Sequence, residues 1–211
     1  PTEAYQRMER TLAHAWDFLT LATREGIDQV VELVGVIQGY DPDSIRWCCR
    51  ELKRLGFHRF GLGSLAMLYK PREIEERVRA AVEEVGQGLH VFGISSVTVL
   101  RSLRSMGIAS FDSARPIKEA MFYVLLYSNP FRRFALAGRR RNDMGGKQLE
   151  QPLPCSCRVC RIDPRVLFGV GAKQYTNFRS IHNYWHLKRE VCGATAWVEP
   201  PEIPTIMDSP R

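Results

Sequence analysis

The sequence predicts an α/β fold that forms half of a (β/α)8 TIM barrel, followed by a small cysteine-rich subdomain. Short apolar runs alternate with amphipathic helical patterns four times in the first 130 residues. The turns between them are short and rich in glycine, which is typical of parallel strands joined by right-handed crossovers. A complete eight-fold barrel takes roughly 250 residues, so four units predict half of one.

The first unit follows an amphipathic helix. A broad apolar face predicts that helix over residues 4–24. The β-branched run 30–37 predicts a strand that is covered on both faces. Asp41 and Pro42 then have the residue types of an N-cap and a first helical position, and they predict a helix over 41–55.

The same unit recurs along the chain. Further strands are predicted over 60–65, 89–94 and 108–112, with helices over 71–85 and 97–106. Polar and glycine residues gather where these strands end. A barrel or an open parallel sheet keeps its active site at that edge, so we expect the functional residues there.

The chain changes character after residue 130, which sets the predicted domain boundaries. The half barrel is assigned to residues 1–130, and a basic linker to 131–154. The cysteine-rich subdomain occupies 155–192. Residues 193–211 contain several prolines and are predicted to be an extended tail.

Composition excludes several protein classes. With 45% hydrophobic and 25% charged residues, the chain is neither disordered, collagenous nor fibrous. Thirty basic against 23 acidic residues give a net charge of +7, which favours a polyanionic partner such as nucleic acid. The longest charge-free stretches, such as 85–100, are too short and too polar to span a membrane. We therefore expect no membrane contact.

The chain ends and the cysteines bear on localisation. The sequence opens on Pro1 without a signal-peptide pattern, so we expect a fragment of a longer chain. Three of six cysteines lie within six residues, a spacing typical of metal thiolates rather than disulfides. The sequence therefore predicts a reducing, cytoplasmic compartment.

The cysteine cluster predicts a structural zinc site. Cys155, Cys157 and Cys160 form a Cys-x-Cys-x-x-Cys run, and His182 follows 22 positions later. Three thiolates and one imidazole complete a tetrahedral Zn²⁺ shell. His186 competes with His182 for the fourth position. The alternative interpretations are a loop of reduced cysteines or a redox cluster.

Residues at the predicted strand ends are candidates for catalysis and base recognition. Asp112 closes the fourth strand. A carboxylate at that position suits covalent or acid-base chemistry. The alternative is an aspartate that caps the next helix or turn. Gln38 closes the first strand, and its amide matches a purine edge or a strand-end hydrogen bond. Gly61 and Gly63 let backbone approach a flat ligand, or they simply form a turn.

Taken together in order, these motifs resemble one family. The set is Val36-Ile37-Gln38-Gly39, the run 60–65, His90-Val91-Phe92-Gly93-Ile94, Phe111-Asp112, and the cysteine cluster with His182-Asn183. From about residue 5 to 190 the chain resembles the C-terminal half of the tRNA-guanine transglycosylases. The resemblance implies a zinc-bearing β/α barrel that exchanges guanine in a nucleic acid for a 7-deazaguanine base, through a covalent enzyme-ribosyl intermediate.

The resemblance also implies a role for individual residues. Asp112 matches the nucleophile. The residues that match base-binding positions are Gln38 and Gly39 in the recognition loop, Gly63, Ser64 and Leu65 in the turn whose backbone contacts the base, and Phe92 with Gly93 in the pocket wall. The implied zinc ligands are Cys155, Cys157, Cys160 and His182.

Departures from the family pattern bear on the substrate. Ser64 replaces a glycine of the turn, and Tyr40 stands where another glycine is usual. The run 111–116 is closer to paralogs that place 7-deazaguanines in DNA, so the sequence favours DNA over tRNA. The residues expected to hold phosphates are Arg115, Lys118, Arg139, Arg140 and Arg141; the alternative for the arginine cluster is a solvated loop.

The N-terminal half of the family's barrel is missing from the chain. In the family it supplies four strands and the general acid/base. We therefore expect a separate N-terminal half, a longer natural chain, or a homodimer across the open edges. The rival interpretations are a non-catalytic nucleic-acid-binding accessory subunit, a split gene product, and a zinc ribbon fused to an unrelated α/β domain.

Overall fold

A computed structural model describes residues 2–66, 68–138 and 147–193 of the chain. Its first part alternates helices and strands, as predicted. The elements are α1 (Thr2–Arg24), β1 (Val34–Ile37), α2 (Pro42–Leu55), β2 (Arg59–Leu62), α3 (Pro71–Val85), β3 (His90–Val91), α4 (Val97–Ser105), β4 (Ser110–Phe111) and α5 (Arg115–Met121). A 3₁₀ turn over Ile27–Gln29 separates α1 from β1.

The four strands form a parallel sheet in the order β1-β2-β3-β4. Sequential order with a helix between neighbouring strands confirms the predicted α/β class with a parallel sheet. Parallel strands share the edge at which they end. That edge carries the residue after each strand: Gln38, Gly63, Phe92 and Asp112.

The first strand is shorter and more exposed than predicted. It begins at Val34, and the preceding Val30 is 82% exposed. Along β1 the exposed Val34 and Val36 alternate with the buried Gly35 and Ile37. The expectation of a strand covered on both faces was wrong, because within the described residues helices cover only one face of this edge strand.

The start of α2 follows from its sequence. The Asp41 carboxylate accepts a hydrogen bond from the Ser44 backbone N–H at 2.8 Å, and Ser44 Oγ accepts one from the Asp41 N–H at 3.0 Å. This capping box satisfies donors that an α-helix leaves unpaired. Pro42 at the first helical position fixes the entry, so the strand-to-helix turn after Gln38 is rigidly defined.

The second part of the chain forms a separate small sheet. It contains β5 (Val124–Tyr127), β6 (Arg132–Leu136), β7 (Lys147–Leu149), α6 (Arg158–Ile162) and α7 (Lys173–Cys192), with a 3₁₀ turn over Pro164–Phe168. Strands β5 and β6 are antiparallel, while β6 and β7 are parallel. Two strands therefore lie within the segment predicted as a linker. In the sequence, the arginines at 132 and 133 obscure the strand signal of the buried run 134–136 that follows them.

Two hydrophobic cores stabilise these parts, and α7 contributes to the first. The first core packs the parallel sheet against helices α2–α4 and includes Leu187 and Val191 of α7. The second surrounds β5 and β6 and includes Cys157 and Cys160. Helix α7 packs on α5, β5 and α4. Within 2–66, 68–138 and 147–193, no helix combines the length and apolar character that a membrane crossing requires.

Arg179 of α7 is a buried cation that holds several backbone segments together. Its guanidinium donates to the carbonyl oxygens of Ala120 at 3.0 Å, Leu167 at 3.2 Å and Gly169 at 2.9 Å. Burial lowers the pKa of this guanidinium. The side chain is only 2% exposed, so its donors replace water for these carbonyls.

We expect Arg179→Leu to lower the free energy of unfolding by about 3 kcal/mol, because two buried carbonyls and one part-buried carbonyl would lose their donor. Urea denaturation measures this effect. Arg10→Leu on the exposed side of α1 is the control and should change stability by less than about 0.5 kcal/mol. Equal effects of the two substitutions would contradict the bracing role of Arg179.

Candidate active site and metal centre

Asp112 lies at the carboxyl edge of the parallel sheet with its carboxylate open to solvent. Its side chain is 57% exposed. Oδ1 accepts a hydrogen bond from the Gly93 N–H at 3.0 Å, and the His90 Nε2 lies 3.4 Å from the same oxygen. The N-cap of α5 is Ala114, without a side-chain cap. Asp112 therefore does not cap the helix that follows it, which removes one alternative for its role.

Gln38 and Ser64 face each other across the ends of β1 and β2. The Ser64 hydroxyl donates to Gln38 Oε1. The Gln38 backbone N–H is 3.5 Å from Cys48 Sγ, which ties the residue to α2. Ser64 has a φ of 61°, the left-handed region that a glycine adopts more easily. The structure thus brings the predicted base-recognition residue and the predicted turn together.

Two glycines make room for side chains at this edge. A Cβ on Gly61 would lie 2.5 Å from Phe92 Cε2, so the glycine lets the ring of Phe92 lie over the sheet end. A Cβ on Gly39 would lie 2.9 Å from the backbone nitrogen of Ile45. Phe92 remains 37% exposed. Leu65 is 1% exposed, so its side chain belongs to the core and only its backbone can face a ligand.

Gly63 controls the position of the Gln38 amide. A Cβ at residue 63 would lie 2.8 Å from Gln38 Nε2, a contact that only movement of the amide relieves. If Gln38 recognises the base as the resemblance implies, Gly63→Ala in the complete enzyme should raise the KM for the free base about tenfold, since the amide would be displaced. Its melting temperature should stay within about 2 °C, because the displaced group is the end of a flexible side chain. A drop in melting temperature with unchanged KM would show a purely structural glycine. Thermal unfolding and steady-state kinetics measure both quantities.

Basic side chains surround a buried carboxylate on α5, the helix that follows Asp112 in the chain. Arg133 forms two hydrogen bonds to Glu119, at 2.8 and 2.7 Å, and Arg115 Nε lies 3.3 Å from the same carboxylate. Arg115 also donates to the Ser95 carbonyl at 2.8 Å, and burial lowers its pKa. Arg115, Arg133, Glu119 and the exposed Lys118 line an open cleft of about 340 Å³. The cations outnumber the single acid, which suits an anionic ligand.

The other predicted phosphate contacts, Arg139, Arg140 and Arg141, lie outside the described residues. Arg133 belongs to the arginine cluster that the sequence predicts as a phosphate contact, but its pairing with Glu119 was not predicted, and His90 is a functional candidate that sequence reasoning missed. Arg133 follows another arginine at the start of a strand, so its pairing with Glu119 has no signal in the sequence. His90 was visible within the third strand motif, but its approach to Asp112 depends on the register of β3 and β4.

The cysteine cluster comes together with one histidine. The ligand atoms of Cys155, Cys157, Cys160 and His182 all lie within 4.8 Å of one another. His182 Nδ1 lies 3.8, 3.5 and 3.5 Å from the three sulfurs, in that order. A tetrahedral zinc site with Zn–S near 2.3 Å and Zn–N near 2.0 Å has S···N edges of about 3.5 Å. The donor set and its spacing therefore fit a metal such as zinc.

Backbone hydrogen bonds prepare the cluster for thiolate chemistry. The Cys160 N–H points to Cys157 Sγ at 3.4 Å, and the Cys157 N–H to Cys155 Sγ at 3.3 Å. Hydrogen bonds with Cys155, Cys160 and His182 lower the pKa of Cys157. The same contacts raise the pKa of Cys155 and Cys160, so Cys157 is the cysteine whose thiolate, the form that ligates a metal, is favoured first.

His186 occupies a different place from His182. Its Nδ1 accepts the Ser128 backbone N–H at 2.9 Å, so Nε2 carries the proton. Nε2 lies 3.2 Å from Cys155 Sγ and can donate to that sulfur. Burial lowers the pKa of His186 to about 3, so the ring is neutral. Of the two histidines, only His182 places one nitrogen near all three sulfurs.

Comparison with known proteins gives a consistent result. The family model described as queuine tRNA-ribosyltransferase matches residues 1–204. A tRNA-guanine(15) transglycosylase of Aeropyrum pernix is 27% identical over 192 residues, covering 87% of this chain and 34% of the relative. The corresponding protein of Korarchaeum cryptofilum is 25% identical, covering 87% and 30%.

A bacterial relative is similar over a comparable range. The queuine tRNA-ribosyltransferase of Chlamydia trachomatis serovar L2 is 27% identical over 199 residues, covering 90% of this chain and 51% of the relative. The chain thus spans about a third to a half of the length of these relatives. Because the family model extends over nearly all of its residues, the chain belongs to the queuine tRNA-ribosyltransferase family.

Proposed function

We propose that this chain is the C-terminal half of the barrel of a pentosyltransferase that exchanges guanine in a nucleic acid for a 7-deazaguanine base. The observation that carries the proposal is the convergence of Asp112, Gln38 and Phe92 at one edge of a parallel sheet. An open carboxylate, an amide and an aromatic wall at that edge suit a nucleobase bound next to its ribose carbon. Family membership supports the same chemistry.

Asp112 acts as the nucleophile in this proposal. A carboxylate oxygen attacks C1′ of the nucleoside, the C1′–N9 bond breaks, and its electron pair leaves with guanine, which takes up a proton at nitrogen. The incoming base then attacks C1′ through its ring nitrogen, loses its proton, and returns the electron pair to the Asp112 carboxylate. Two displacements on opposite faces retain the configuration at C1′.

The neighbouring residues bind the polymer and the base. The target base must leave its stack to reach this edge. Gln38, held by Ser64, offers its amide to the purine edge, and the Phe92 ring lies at the wall. Arg115, Lys118 and Arg133 line the adjacent cleft, where they suit phosphates on either side of the flipped nucleotide. Arg139, Arg140 and Arg141 are proposed as further phosphate contacts.

A second barrel half is proposed to cover the exposed face of the sheet. Val34 and Val36 are 42% and 36% exposed on the edge strand β1. An exposed apolar strand at the edge of a sheet either pairs with a further strand or becomes a site for aggregation. A separate N-terminal half, a longer chain, or a second copy would supply those strands and the general acid/base.

We propose that Cys155, Cys157, Cys160 and His182 hold one structural zinc ion in a subdomain over residues 155–192. When bound, zinc supplies bracing rather than reaction chemistry, since four protein ligands leave no open position. The pieces it would join are the loop before α6 and helix α7, which both contribute ligands. The half barrel is proposed over 1–130. Strands β6 and β7 lie in the segment that connects it to the zinc-binding subdomain.

The polymer is proposed to be tRNA, with DNA as the second candidate. The names of the similar proteins given above all specify tRNA. DNA is favoured by the run 111–116, which is closer to the paralogs that place 7-deazaguanines in DNA, and by Pro116-Ile117-Lys118, which stands where the tRNA enzymes have Pro-Thr-Arg.

Exchange of labelled guanine into tRNA and into DNA, run in parallel with zinc quantified on the same sample, tests the proposal. We expect incorporation into one polymer and one zinc per chain. The preparation includes the N-terminal half of the barrel, as part of a longer chain or as a second polypeptide. Binding of tRNA or DNA without exchange would overturn the enzyme assignment and favour the accessory-subunit interpretation.

A further inference from the structure

His90 is the only imidazole within the described residues that reaches the carboxylate of Asp112. It lies in β3, and its Nε2 is 3.4 Å from Asp112 Oδ1. Its Nδ1 is 2.8 Å from Ser110 Oγ on the neighbouring strand β4. The ring also packs edge-on against Phe92, with ring centroids 4.5 Å apart. Three residues therefore fix where this imidazole points.

Hydrogen bonding and charge determine which ring nitrogen carries the proton. A bare Nε2 lone pair facing the Asp112 carboxylate would be repelled by it, whereas an Nε2–H is attracted. With hydrogen on Nε2, the imidazole accepts a hydrogen bond from the Ser110 hydroxyl at Nδ1. The polar contacts thus run in one direction, from the Ser110 hydroxyl through the His90 imidazole to the Asp112 carboxylate.

This arrangement treats the two oxygens of Asp112 differently. Oδ1 faces both the Gly93 N–H and His90 Nε2. In the described part of the chain, no hydrogen bond to Oδ2 is found. Oδ1 is therefore held by the Gly93 N–H and approached by His90 Nε2, which leaves Oδ2 as the oxygen available for attack.

We propose that His90 is a positioning residue that orients Asp112 so that Oδ2 is the nucleophile. This inference rests on the proposed function of Asp112. When the Oδ2–C1′ bond forms, Oδ1 becomes the carbonyl oxygen of the ester and keeps its contacts with His90 and Gly93. When the ester breaks, the electron pair returns to the carboxylate, which the same donors hold for the next cycle. His90 neither gains nor loses a proton in either step.

Substitution of His90 tests the proposal through the covalent step. In single-turnover experiments with the complete barrel, His90→Leu should slow formation of the covalent complex about 30-fold, since misplacing a reacting group by about 1 Å costs up to 10²-fold. The KM for the free base should change less than about twofold, because the proposal assigns base binding to Gln38 and Phe92. His90→Gln, whose amide nitrogen can replace Nε2, should recover most of the rate.

Two further variants serve as matched controls. Ser110→Ala leaves the imidazole in place but removes its anchor, so we expect a smaller loss than in His90→Leu. His58→Leu changes an exposed histidine just before β2, at the opposite edge of the sheet, and should leave the rate unchanged. Wild-type rates in His90→Leu, or no recovery in His90→Gln, would overturn the positioning role.

The ¹⁵N spectrum of the imidazole separates this inference from the proposed function. We expect the neutral ring of His90 to carry its proton on Nε2, and Asp112→Ala to shift that signal. A neutral ring protonated on Nδ1 would overturn the inference even if exchange proceeds. Failure of the wild-type protein to form a covalent complex would contradict the proposed function instead, and the spectrum would still decide whether His90 contacts Asp112.

Discussion

Asp112→Asn abolishes the covalent protein–nucleic acid complex in our account and lowers guanine exchange by about 10³-fold or more, as loss of a nucleophile does in other covalent enzymes. An amide oxygen carries no negative charge and is a poor nucleophile toward C1′. The fold should persist, because the side chain is 57% exposed and supports no helix cap. We expect a melting temperature within about 2 °C of wild type. Denaturing gels of the quenched reaction measure the complex.

Asp43→Asn is the matched control for this variant. Asp43 lies in α2 with a side chain that is 95% exposed, and the same chemical change there should preserve exchange. A covalent complex that still forms in Asp112→Asn would remove Asp112 from the chemistry and assign the attack to another residue.

Cys157→Ala should eliminate zinc binding and destabilise the second part of the chain. Cys157 is fully buried, and its sulfur faces His182 Nδ1 and the Cys160 N–H. Three remaining ligands cannot close a structural tetrahedral shell, and metal binding is coupled to folding in small zinc sites. We expect a loss of at least about 3 kcal/mol in the free energy of unfolding, measured by urea denaturation together with elemental analysis for zinc.

Two substitutions separate ligation from a general loss of structure. Cys192→Ala removes a cysteine outside the cluster and should keep one zinc per chain. His186→Ala should also keep the stoichiometry, because His186 contacts only Cys155 among the cluster sulfurs. Full zinc content in Cys157→Ala, or loss of zinc in His186→Ala but not in His182→Ala, would contradict the ligand set.

Local sequence signals predicted helices α1 to α4 well, whereas α5, α6 and α7 were not predicted. Pro71–Val85 has the predicted bounds, and Asp41 caps α2 as its residue type and the following proline suggest. Capping and helical periodicity act within a few residues, so they can be read without knowledge of the fold. The predicted strands, by contrast, exceed those observed: β3 and β4 contain two residues each. Strand length depends on pairing with neighbours, which the local sequence does not specify.

The candidate site was likewise predictable from the sequence only in part. Gln38, Gly63, Phe92 and Asp112 could be predicted, because each follows an apolar run and parallel strands end at a common edge. The contact between His90 and Asp112 could not, since it depends on the register of two strands that are 20 residues apart in sequence. The Arg133–Glu119 pair was missed because two charged residues on a strand and a helix carry no pairing signal.

The most direct test of the central claim is to map the covalent intermediate. The complete barrel is mixed with a guanine-containing tRNA or DNA, quenched during turnover, digested and analysed by mass spectrometry. Our account predicts a ribosyl adduct on the peptide that contains Asp112, and release of one guanine per adduct. An adduct on any other residue, or guanine exchange without an adduct, would contradict it.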